Sequence, residues 1–151
     1  MAEELLNRKI NVRLYPLEYE LYPRIGKKMP VMPTLSGVIK KRVRFSSEGY
    51  LVKLDEPADI TLEGISRKLP FKTVSWIMFD CGSTDTYNSK DAYEIEFLKG
   101  GDKIKNSHNE IFSTIRAVES PDRVPEVFYK EDPLMDNFPV ISWGFVSLAN
   151  G

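Results

Sequence analysis

Apolar and polar residues alternate over several short stretches of this chain, which is the pattern of β-strands with one buried face. Every second residue is apolar in 9–14 and again in 92–98. Two other stretches, 71–79 and 140–148, are apolar at consecutive positions, as expected of central strands that are covered on both sides. The pattern therefore predicts a β-rich fold with these last two stretches as its core strands.

The longest alternating stretch predicts a β-hairpin over residues 38–54, with residues 46–49 as its turn and residues 55–57 as its end. Alternation divides the first strand into two faces, one formed by Ile39, Lys41, Val43 and Phe45 and the other by Val38, Lys40, Arg42 and Arg44. We expect Val43 and Phe45 to be buried, and the basic residues of the second face to be exposed.

Residues 107–118 fit two different elements. Ser107 and Glu110 have the spacing of a capping box, which marks the start of a helix. The apolar residues that follow recur at helical spacing, at Ile111, Phe112, Ile115 and Val118. A strand over 112–118 is the alternative, and we favour the helix.

Together these elements predict an all-β domain over residues 1–151, with seven to eight strands and one short α-helix. Turn signals recur every 8–15 residues and no strand–helix–strand alternation is present, which favours a mainly antiparallel β-sandwich or β-barrel. The length of 151 residues agrees with one domain. A single cysteine and a single histidine exclude an intramolecular disulfide and a multi-cysteine zinc site, so we expect no metal and no cofactor.

Residues 15–34 differ from the rest because they hold four prolines and three tyrosines. Proline interrupts strand ladders, so we expect irregular extended chain with one edge strand at 17–22. Tyrosine and methionine are residue types that interfaces favour. The leading hypothesis is a contact with a protein partner, or with a second copy of the chain, through Tyr15, Tyr19, Tyr22, Lys27, Lys28, Met29 and Met32. The alternative is that this segment covers the open end of its own barrel.

A polar loop at 80–91 supports a second hypothesis, a site for a sugar-like or other polar small molecule. Its candidate residues are Asp85, Tyr87 and Asp91, with Trp76 and Trp143 as an apolar wall. The same loop holds oxygen ligands of the kind that calcium takes, but their spacing departs from the EF-hand pattern. We therefore predict no metal in the loop.

The charge is distributed unevenly, although the net charge is only −1. Residues 1–45 carry ten Lys and Arg against four Glu, whereas residues 46–151 carry eleven against eighteen Asp and Glu. The basic face with Lys40, Arg42 and Arg44 supports a third hypothesis, nucleic-acid binding. We consider this partner unlikely, because the whole domain is not basic and its two parts can neutralise each other across one fold.

The sequence favours a binding or assembly protein over an enzyme. Cys81 and His108 are the one thiol and the one imidazole of the chain, but nothing in their spacing indicates a catalytic pair. We therefore predict no catalytic residue. The first residues lack the apolar core of a secretory signal, and no apolar run is long enough for a membrane span, so we expect a cytoplasmic protein.

Overall fold

Six antiparallel strands in the described part of the chain close into a β-barrel, because each strand pairs with the next and the last pairs with the first. The computed structural model describes residues 5–19, 21–44, 48–62, 64–65, 69, 72–80, 111–129 and 133–149. The elements are β1 (Lys9–Tyr15), α1 (Leu21–Arg24), β2 (Thr34–Arg44), β3 (Glu48–Asp59), β4 (Thr73–Asp80), β5 (Ile111–Val118) and β6 (Val140–Leu148). Two 3₁₀ turns, Pro121–Arg123 and Pro133–Asn137, lie between β5 and β6.

The predicted all-β class is confirmed, and of the two predicted architectures the structure is the barrel. Six strands are described instead of the predicted seven to eight. The predicted strand at 92–98 lies outside the described residues, and near 126–130 the chain makes a single bridge, between Arg44 and Val127. The predicted end of the hairpin at 55–57 is wrong, since β3 continues to Asp59 through an irregularity between Lys53 and Ala58.

The helix predicted over 107–118 is wrong where the structure describes it, because residues 111–118 form β5 between β4 and β6. Ile115 and Ala117 face the barrel interior, and Val118 packs on the outer side. A strand buried on both faces is apolar at both parities, so its residues also fit helical spacing.

The one α-helix of the described chain is α1, in the segment predicted to be extended, and the edge strand predicted at 17–22 is absent. Glu18 and Tyr19 form a turn, and the Leu21 amide donates a hydrogen bond of 2.8 Å to the Glu18 carbonyl. Pro23 is tolerated here because it lies in the first turn of the helix, where its missing N–H breaks no hydrogen bond.

The apolar residues form two clusters, one on each side of the barrel wall. The interior cluster includes Ile10, Val12, Leu14, Ile39, Tyr50, Val52, Ile77, Phe79, Ile115 and Val146. The outer cluster consists of Val43, Leu51, Met78, Val118, Val124, Phe128 and Phe138, and its last three members belong to the segment 119–139, which crosses the outside of the barrel. This second layer explains why 71–79 is apolar on both faces, and it confirms that stretch as a central strand.

A β-bulge in β2 changes the predicted faces of the hairpin. The register shifts between Ile39 and Lys41, so Ile39 pairs with Val52 of the interior cluster but Lys41 pairs with Leu51 of the outer cluster. An extra residue in one strand reverses the side-chain parity beyond it. Arg42 therefore lies on the face opposite to Lys40, and the predicted single basic face is wrong.

Burial along β2 otherwise agrees with the prediction in part. Val43 is buried, but in the outer cluster, and Lys40 and Arg44 are exposed. Arg42 is half-buried, and Phe45 lies outside the described residues. Barrel closure also brings the basic and acidic parts of the chain side by side, and the Lys9 ammonium lies 3.1 Å from the Asp55 carboxylate.

Candidate functional site

The segment 16–33 leaves β1 and returns to β2 through a folded turn built on α1. The Gly26 amide donates to the Pro23 carbonyl at 3.2 Å, and the Lys27 amide donates to the Tyr22 carbonyl at 2.8 Å. Gly26 has a φ of 69°, so this pair of bonds is the Schellman motif that ends many helices. These two hydrogen bonds satisfy carbonyl groups at the end of α1 and set the direction in which the chain leaves it.

A groove of about 660 Å³ opens beside this turn, and it is lined by Tyr15, Tyr19, Pro23, Arg24, Lys27 and Met29. The Tyr15 and Tyr19 rings lie 5.2 Å apart between centroids, and Tyr15 also contacts the edge of Phe145 at 5.7 Å. The Arg13 guanidinium lies over the other end of this row, 4.4 Å from the Phe145 centroid. Packed aromatic rings of this kind form a rigid wall.

Five apolar side chains within residues 19–31 are exposed, and two of them, Tyr19 and Met29, line the groove. The other three are Leu21, Ile25 and Val31, of which Val31 is 99% exposed. Single exposed apolar residues are ordinary, whereas a contiguous apolar patch is typical of an interaction surface.

Four of the seven residues predicted for partner contact line the groove: Tyr15, Tyr19, Lys27 and Met29. Lys28 is exposed next to them in the chain. Tyr22 is only 8% exposed, so little of its side chain is available for the predicted partner contact.

Met32 is the second departure, because it is half-buried and packs against the interior cluster. A Cβ added to Gly64 would lie 2.8 Å from the Met32 sulfur, which shows how closely this side chain packs on the loop after β3. Met32 therefore covers its own barrel, which is the alternative that the sequence left open for this segment.

Sequence reasoning did not assign Pro23 and Arg24 to this site. The spacing of Tyr19, Pro23 and Lys27, four residues apart, is the available signal, since residues at this spacing share one face of a helical turn. The four prolines of the segment favoured a prediction of extended chain over one of a helical turn.

The residues of the small-molecule hypothesis are not brought together in the described structure. Asp85, Tyr87 and Asp91 lie outside the described residues, as do Cys81 and His108. The two tryptophans lie on the outer side of the barrel wall, and their role as an apolar wall beside this loop stays a prediction. Trp76 packs on the outer cluster with the Lys53 ammonium 5.6 Å from its ring centroid, and Trp143 pairs with Tyr15 on the outer face.

The three basic residues of the nucleic-acid hypothesis share one concave surface even though the bulge separates their faces. Lys40, Arg42 and Arg44 line a pocket of about 460 Å³ together with Leu6, Lys41, Glu126 and Val127. Leu6, Glu126 and Val127 come from distant parts of the chain, and no local pattern in the sequence indicates their approach.

Arg116 fastens the segment 119–139 to the barrel wall. Its guanidinium donates a hydrogen bond of 2.8 Å to the Phe138 carbonyl. Burial lowers the pKa of Arg116, and the negative charges of Asp80 and Asp136 oppose that shift. This arginine therefore has a structural role within the outer layer.

Within the described residues no three His, Cys, Asp or Glu side chains converge as metal ligands, and no helix is both long and apolar enough to cross a membrane. Comparison with known proteins gives no match to a family model, to a curated protein or to a solved structure.

Proposed function

We propose that this protein is a non-enzymatic binding module that holds a segment of a partner protein in the groove beside α1. The observation that supports this proposal most strongly is the groove itself, in which the exposed Tyr19 and Met29 and the packed ring of Tyr15 lie beside two cations. The single thiol of the chain is in keeping with a cytoplasmic setting, which belongs to the same proposal.

The lining of the groove suggests the chemistry of the partner. Tyr15, Tyr19 and Met29 offer apolar surface, and methionine adapts to side chains of different shapes. Arg24 and Lys27 place two positive charges on the same groove. An extended peptide with one large apolar side chain next to carboxylates complements both features, because the apolar side chain is desolvated while the carboxylates pair with the cations.

A second copy of the chain is the alternative occupant. Residues 46–151 carry an excess of acidic residues, so a neighbouring copy can also supply carboxylates to the groove. Concentration-dependent dimerisation that is lost when the groove is altered would replace the partner proposal with self-assembly.

The test is a selection of short random peptides on the immobilised full chain. We expect enriched sequences to combine Asp or Glu with one aromatic, Leu or Met residue, and we expect the enrichment to disappear with the double variant Tyr19→Ser/Met29→Ser. Sedimentation velocity over a range of concentrations distinguishes the self-assembly alternative. Peptides that bind the variant as well as the wild type would overturn the proposal.

A further inference from the structure

A second concave surface lies at the end of β2, in the pocket lined by Lys40, Lys41, Arg42 and Arg44. The bulge after Ile39 turns Lys40 and Arg42 to different faces of β2, and yet both line this pocket together with Lys41 and Arg44. Bulges are frequent near functional sites because they redirect side chains in this way.

The opposite wall of this pocket is held firmly against β2. The Arg44 amide donates to the Glu126 carbonyl at 2.8 Å, and the Phe128 amide donates to the Arg44 carbonyl at 2.7 Å. The Lys41 ammonium donates to the Val124 carbonyl at 2.7 Å. The concave shape therefore depends on backbone hydrogen bonds and does not require a mobile side chain to close it.

The described lining of the pocket is mostly basic. Four of its residues are Lys or Arg, and one, Glu126, is acidic. The Lys40 ammonium approaches the side-chain oxygen of Asn7, a neutral group, at 3.5 Å. A cleft lined by one sign of charge concentrates the opposite charge, since its low-dielectric walls focus the field.

We propose that this pocket binds a small molecule that carries two or more phosphate groups. Arginine forks bind phosphate oxygens through paired hydrogen bonds, and lysines add point charges. The pocket volume of about 460 Å³ lies in the range of about 300–1,000 Å³ of small-ligand sites. Single-stranded nucleic acid instead requires a groove that follows several nucleotides with stacking aromatics, and no aromatic residue is among the described lining residues.

The experiment is isothermal titration calorimetry of the full chain with pyrophosphate, and with sulfate as an anion of lower charge. We expect pyrophosphate to bind more tightly than sulfate, and we expect its affinity to fall as the salt concentration is raised. Arg44→Gln is expected to weaken pyrophosphate binding at least about fivefold, because a charge-assisted pair is lost. The Arg44 side chain is exposed, and its backbone bonds to residues 126 and 128 remain in this variant.

Lys72→Gln is the control, since it removes the same charge at an exposed residue that is not among the described lining residues of the pocket or of the groove beside α1. We expect it to change pyrophosphate binding less than twofold. An equal loss of pyrophosphate affinity in both variants would show that binding depends only on the net charge of the protein. This result would overturn the proposed site. Tighter binding of a single-stranded oligonucleotide than of pyrophosphate, with the same loss in Arg44→Gln, would overturn the small-molecule ligand in favour of nucleic acid.

Discussion

At Gly144 the interior of the barrel has no room for a side chain. A Cβ at this position would lie 2.7 Å from the Ile115 side chain and 2.9 Å from that of Val12. Real Cβ contacts are longer, so the strands would have to move apart locally. Gly144 thus lets β1, β5 and β6 approach one another where the barrel closes.

We therefore expect Gly144→Ala to lower the free energy of unfolding by about 1–3 kcal/mol, as over-packed core sites do. Ser147→Ala, on the outer face of the same strand, is the control because it adds no atom, and it should change the free energy of unfolding much less. Urea denaturation followed by tryptophan fluorescence measures both variants. An unchanged stability of Gly144→Ala would contradict the tight closure.

At the end of β3, two hydrogen bonds from Thr61 stabilise the charged form of Asp59. The Thr61 hydroxyl donates to its carboxylate at 2.6 Å, and the Thr61 amide donates to the same oxygen at 2.8 Å. The side-chain hydrogen bond, followed by the backbone one, lowers the pKa of Asp59, because both favour the charged form. The resulting contribution to stability is full above the ordinary aspartate pKa and is lost as the pH falls through the lowered value.

Thr61→Ala removes the larger of these two effects, so the pKa of Asp59 should rise toward its ordinary value. Thr61→Ser keeps the hydroxyl and should keep the pKa low. A titration of the Asp59 carboxyl carbon by NMR measures the three proteins. The same Asp59 pKa in the alanine variant and the wild type would refute the role of the hydroxyl.

Among the elements, the segment 16–33 combines a structural part with an exposed part. Met32 packs on the interior cluster and on the loop at Gly64, whereas Val31 beside it is almost fully exposed. The Leu14 amide donates a hydrogen bond of 3.2 Å to the Pro33 carbonyl, which attaches the chain next to Met32 to β1.

Met32→Ser should therefore lower the free energy of unfolding by about 1–2 kcal/mol, less than at a fully buried methionine. Val31→Ser should change it by less than about 0.5 kcal/mol, as exposed positions do. Thermal and urea denaturation of the two single variants make the comparison. Equal destabilisation by both would show that the whole segment is core cover.

Much of this fold could be predicted from the apolar pattern, since β1 and the β2–β3 hairpin alternate and β4 and β6 are continuous apolar runs. The bulge after Ile39 could not be predicted, because its position depends on how β2 pairs with β3 and packs under the outer layer. The identity of β5 could not either, since its apolar residues fit a helix and a doubly buried strand equally well. Barrel closure depends on the pairing of β1 with β6, which are far apart in sequence.

The residues of the candidate sites could also be predicted only in part. Composition predicted four groove residues, because tyrosine, lysine and methionine are concentrated in one proline-rich segment. Arg24 was not assigned because its position depends on α1. The pocket at the end of β2 depends on the approach of residues 126–127, which is a product of long-range packing.

At the scale of the whole molecule, a closed barrel places two concave surfaces of different chemistry on its outer side. The groove beside α1 is apolar with two cations, and the pocket at the end of β2 is strongly basic. The described interior is filled by packed side chains, so function is expected on the outer surface. For this surface we propose above all that the groove beside α1 recognises an acidic peptide with an apolar anchor.

The most direct test is fluorescence anisotropy of a selected acidic peptide with three proteins at fixed salt. Tyr19→Ser/Met29→Ser alters the groove, and Leu62→Ser/Leu134→Ser removes two residues of comparable exposure elsewhere. We predict that the groove variant binds at least about tenfold more weakly than the wild type, as expected when interface anchors are lost, while the control variant changes less than twofold. Equal affinities of the wild type and the folded groove variant would contradict the account.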